Sequence, residues 1–127
     1  MNTRKFGFVV LAATLGIAVA CGLFSSPSGT VKDFYKYTEK GDLDKAMDLM
    51  SKRMKATMTP DKMKSVLALA TQKIKEKRGI SSVNIDKEDK TGDTATVKGT
   101  VKYGDGSQED FNHTLIKESG GWKLDGK

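Results

Sequence analysis

The single histidine, His113, lies between Phe111 and Leu115 at two-residue steps. At the period of a β-strand these three side chains share one face. An imidazole there can carry a proton near neutral pH, provided a partner orients it and a cavity admits a substrate. Asp110 and Asn112 fall on the opposite phase, so no inward carboxylate is placed beside His113. The plainer reading is a packed or rim histidine. Tyr35, Tyr103 and Trp122 are candidates to line the same pocket, and aromatic core is the default role of each.

Other chemistries are narrowed by type and spacing. One cysteine, Cys21, excludes an internal disulfide and any site built on several thiolates. Met47, Met50, Met54, Met58 and Met63 are soft ligands at steps of 3, 4, 4 and 5, which is also the spacing of a buried helix face. Core filling is the better reading, and no metal or cofactor is expected. The acidic run from Asp86 to Asp93 has Lys90 where the fifth ligand of a calcium loop belongs. Asn112-His113-Thr114 matches a glycosylation sequon by chance.

Basic residues are concentrated. Between Lys52 and Arg78 there are nine (Lys52, Arg53, Lys55, Lys62, Lys64, Lys73, Lys75, Lys77, Arg78) against Asp61 and Glu76, while the whole chain is +6. Such a face, led by Lys52, Arg53, Lys55, Lys62 and Lys64, could meet anionic lipid or wall polymer. Helical geometry favours a solvated border instead, since lysines flanking an apolar stripe cover it with their stems. No aromatic–basic ladder for nucleic acid is present.

These side chains need a scaffold. The 127 residues, 37% hydrophobic and 30% charged, suit one soluble domain. Thr30 and Asp33 make a capping-box-like helix start, with Val31, Phe34, Tyr35 and Thr38 on one face and Gly41 at the end. Asp42 can cap a second helix carrying Leu43, Ala46, Met47, Met50 and Met54. Thr59-Pro60 opens a third, striped by Met63, Val66, Leu67, Ala70 and Ile74 and ended by Gly79. The period then becomes two. Val83 and Ile85 alternate; Ala95, Val97, Val101 and Tyr103 share a face; Gly104-Asp105-Gly106 turns; and Ser119-Gly120-Gly121 leads to a strand with Trp122 and Leu124. The expectation is an α+β domain, three N-terminal helices packed on a curved four-stranded antiparallel sheet.

Ahead of it, Arg4 and Lys5 precede an uncharged run from Phe6 to Ala20, too short for a permanent span and suited to a secretory signal. Ala18-Val19-Ala20-Cys21-Gly22 resembles the lipobox of bacterial lipoproteins, with Ala18 where that family prefers Leu. The resemblance implies a signal peptide over residues 1–20 and a diacylated Cys21 at the mature N-terminus. Acylation, as with palmitate, removes the thiol from chemistry. Two chains hold a protein to the bilayer where one does so only marginally. Gly22 to Gly29 then reads as a tether of at most about 28 Å, so that residues 21–29 are lipid and linker and 30–127 the domain. The implied place is the extracytoplasmic face of the cell membrane or outer membrane.

The helix–strand order, with Val31-Lys32-Asp33-Phe34-Tyr35, then Gly41-Asp42 and Ala46, and Gly121-Trp122-Lys123-Leu124-Asp125 at the end, resembles small bacterial lipoprotein domains of unknown function in the nuclear transport factor 2-like, cystatin-like superfamily. That fold has a concave pocket and many unrelated functions. Three functions are left open. The first is a non-enzymatic, membrane-anchored binding or interaction module, taking a small apolar ligand or another envelope protein. The second is an acid–base enzyme using His113. The third is an envelope contact through the basic face.

Overall fold

The computed structural model describes residues 26–126. The expected signal peptide, Cys21 and most of the tether lie outside them. Helices α1 (Pro27–Lys40), α2 (Leu43–Asp48), α3 (Lys52–Lys55) and α4 (Pro60–Glu76) precede strands β1 (Ile80–Thr91), β2 (Thr94–Tyr103), β3 (Gln108–Glu118) and β4 (Gly121–Leu124). The strands form one antiparallel sheet in chain order. Among the described residues no helix is long and apolar enough to cross a membrane.

Two helical expectations need correction. α1 starts at Pro27, three residues before Thr30, because the Ser26 side chain accepts from the Gly29 N–H and Pro27 suits the first turn. Thr30 is instead buried, its hydroxyl donating to the Trp122 carbonyl at 3.1 Å. The expected second helix is two short ones, so among the described residues four helical segments replace three. Between α2 and α3 the backbone leaves the helix to pair with β4. Ser51 N–H donates to Leu124 O, and Leu124 N–H to Leu49 O, each at 2.7 Å. Those bonds cover part of the edge that β4 would otherwise expose.

The core has three connected parts. Val31 of α1 packs on Ala95, Val97, Leu115, Trp122 and Leu124 of the sheet. Ala46, Met50, Met63 and Leu67 join α2 to α4, with Met47, Met54 and Met58 packed around them, so the methionines fill the helical layer. Ile74, Val101 and Tyr103 close the far end. Thr71 Oγ1 lies 2.6 Å from Thr38 O and fastens α4 to the end of α1. Gly41 there has φ 79°, a left-handed turn that ends α1 as expected.

The β2 alternation holds, with Ala95, Val97, Gly99, Val101 and Tyr103 all buried. β1 is longer than expected and includes Asp86 to Thr91, leaving Gly92-Asp93 as a two-residue hairpin loop. Its register shifts between Ile80 and Ser82 and between Ile85 and Lys87.

Candidate functional site

A cavity of about 280 Å³ lies between α1, α4 and the β2–β3 end of the sheet. α1 supplies Phe34, Tyr35 and Thr38, and α4 supplies Val66, Leu67, Ala70, Lys73 and Ile74. Lys77, Tyr103 and Glu109 complete the lining. The expected apolar stripe of α4 explains the opening. Met63, Leu67 and Ile74 are buried, but Val66, one step around the helix, remains 50% exposed beside the cavity.

The lining is mostly aliphatic and aromatic, with polar groups gathered at one end. Tyr103 donates its hydroxyl to Glu109 Oε1 at 2.7 Å, and Lys77 Nζ lies 3.9 Å from the other carboxylate oxygen and 4.7 Å from the Tyr103 ring centre. Burial, then the hydrogen bond and charge of Glu109, push the Tyr103 phenol up to about 12. Lys73 lines the same end and has no ion pair among the described residues.

Behind the cavity wall sits His113. Its Nε2 is 2.9 Å from the Tyr35 hydroxyl, and its ring stacks on Phe111 at 5.1 Å. Burial lowers the imidazole pKa and raises that of Tyr35, where Tyr103 and Glu109 add to the effect. Both groups are therefore neutral near pH 7. A neutral phenol and a neutral imidazole can exchange donor and acceptor roles, because the imidazole has two tautomers. Tyr35 stands between His113 and the cavity, and His113 itself is not part of the lining.

The four aromatic candidates thus separate. Tyr35 and Tyr103 line the cavity, His113 backs Tyr35, and Trp122 is buried in the sheet core against Val31. Glu109 and Lys77 were not among the candidates. Glu109 is two residues before Phe111 and therefore on the face of Phe111 and His113, pairing with Val101 across the ladder. The alternation contains that signal.

The basic candidates Lys52, Arg53, Lys55, Lys62 and Lys64 are all exposed, and two of them have acidic partners. Arg53 pairs with Asp125, Lys64 with Asp44 at 3.2 Å, and the Lys52 backbone N–H donates to Glu118 at 3.1 Å. Lys55 and Lys62 are exposed. Among the described residues no group of three or more His, Cys, Asp or Glu is placed to hold a metal ion.

A family model described as a domain of unknown function, DUF4878, matches residues 19–125. The chain belongs to that family. The fold of this chain is similar to that of an NTF2-like protein from Campylobacter jejuni whose name carries a proposed transpeptidase activity. The TM-score is 0.69 at 22% identity, over 81% of this chain and 100% of that one. It is also similar to a SEC-C motif containing protein from Rhodopseudomonas palustris, with a TM-score of 0.54 at 13% identity over 79% of this chain and 75% of that one. At these identities the likeness shows an NTF2-like α+β fold for this chain and carries no activity. No curated protein matches the chain.

Proposed function

We propose that this domain is an extracytoplasmic, membrane-anchored binding module that takes a small apolar or amphipathic molecule between α1 and α4. The carrying observation is the cavity itself: apolar walls from Phe34, Val66, Leu67, Ala70 and Ile74, with a few polar groups converging at one end. That division is what a ligand site needs, bulk from apolar contact and orientation from few polar atoms. The register shifts in β1 support a sheet that bends around it, because bulges bend the strand that carries them.

The anchor rests on the lipobox-like residues ending at Cys21. Its test is fractionation with mass spectrometry of the native protein. Diacylated Cys21 at the N-terminus supports the reading, and a Cys21→Ser variant should leave the membrane fraction. An intact leader or a bare thiol overturns it.

Ligand binding is tested with octan-1-ol on the full chain in lipid nanodiscs, following the methyl NMR signals of Val66, Leu67 and Ile74. Saturable shifts confined to these methyls support the site; unmoved methyls refute it. Acid–base catalysis has one observation in its favour, the Tyr35–His113 hydrogen bond. Against it, Tyr35 screens the imidazole from the cavity.

A further inference from the structure

We infer that the ligand is a short aliphatic monocarboxylate, its chain along α4 and its head group at Lys73. This rests on the cavity being a binding site and adds the ligand's class. At roughly 30 Å³ per heavy atom, the share of a water in the liquid, 280 Å³ holds about nine heavy atoms. That is close to the roughly ten heavy atoms of an eight-carbon acid.

The charges in the lining decide the sign of the head. The charged side chains lining the cavity are Lys73, Lys77 and Glu109, joined by the neutral phenols Tyr35 and Tyr103. Glu109 already has a partner on each oxygen: one accepts from Tyr103 at 2.7 Å and the other faces Lys77 at 3.9 Å. With two ammonium groups to one carboxylate, the lining carries a net positive charge that favours an anionic head. Lys73 is exposed at the cavity, has no ion pair among the described residues, and lies four residues before Lys77, which caps α4. An exposed ammonium at the mouth of an apolar cavity can hold a carboxylate whose chain lies inside. Val66, half exposed beside the opening, leaves the apolar chain a way in.

The experiment compares octanoate, octan-1-ol and octylamine on the full chain in nanodiscs, read on the Val66 and Ile74 methyl signals so that partition into lipid does not count. Octanoate should bind about tenfold or more tightly than the alcohol, and the amine more weakly than both. The advantage of octanoate should shrink with added salt and vanish in Lys73→Gln. It should survive in Lys73→Arg and in Lys75→Gln, which alters an exposed neighbour outside the lining. Equal binding of acid and alcohol, or an unchanged preference in Lys73→Gln, overturns the carboxylate while leaving the cavity reading intact. Failure of all three probes overturns the cavity reading itself.

Discussion

Gly99 shows how close the packing under the site is. It is buried in β2 opposite Ile85 and Phe111, where β1 shifts register. A methyl group there would collide with the Asn84 carbonyl oxygen and lie 2.7 Å from the Phe111 ring. Neither backbone can yield without breaking the ladder, so Gly99→Ala should destabilise the domain by about 1–3 kcal/mol, the usual range of overpacking, seen as a lower thermal midpoint. His113 and Tyr35 act on opposite sides of neutrality. Burial keeps His113 neutral in the native state, so below about pH 6.5 the unfolded chain takes up a proton that the folded one refuses. Stability therefore falls as pH drops from about 6.5 through the lowered native pKa. Tyr35 and Tyr103 are raised, so the unfolded chain loses protons first and stability falls above about pH 10. Thermal midpoints across pH should show both arms. His113→Gln should flatten the acid arm between pH 6.5 and 5, and an unchanged slope would assign it to other groups.

Between elements, the join of α3 to β4 is made of polar contacts. Ser51 is fully buried; its hydroxyl donates to Asp125 Oδ1 at 2.6 Å and its oxygen accepts from the Met54 N–H at 3.0 Å. Arg53 meets the same carboxylate, and these two partners, Arg53 first, hold Asp125 below its usual pKa. Ser51→Ala loses the helix cap and leaves Asp125 with one partner fewer, a cost of about 1–2 kcal/mol. The Asp125 contribution is present above its unfolded pKa near 4 and disappears as pH falls through the depressed native value. Denaturation of Asp125→Asn should therefore match wild type near pH 2 and fall short of it at pH 7. This join was also the least legible element in the sequence. The methionine spacing from Met47 to Met54 is continuous with a helix, and nothing local announces that Leu49 and Ser51 pair with Leu124, some 75 residues away. Where period and core agree, as in α4 and β2, the reading holds. Tyr103 and Tyr35 were legible as lining residues, and Glu109 follows from the same alternation. Lys73 was legible only as a border lysine and Lys77 only as a charge suited to the negative end of its helix, since their place at the cavity depends on how α4 crosses the β2–β3 hairpin.

For the whole molecule, the cavity is a local absence of packing in a chain of modest size, and that sets its cost. A domain of about a hundred residues holds few kilocalories in reserve, and empty apolar volume loses the contacts that would line it. The helical layer could have closed over the sheet; instead Ala70, a small residue, faces the space between α1 and α4. If that space serves a ligand, the small side chain is retained at the expense of stability. Ala70→Leu adds three carbons toward the opening. Burying even part of them should raise stability by about 1 kcal/mol, which for a domain of this length is about 4–8 °C in thermal midpoint. The same change should remove the octan-1-ol shifts at Val66 and Ile74. Ligand then stabilises wild type but not the variant, because only a species that binds the folded state raises its midpoint. The two readouts must move in opposite directions. A destabilised Ala70→Leu that still binds octan-1-ol would mean that the space beside Ala70 is already filled by neighbouring side chains in solution and that the probe binds elsewhere.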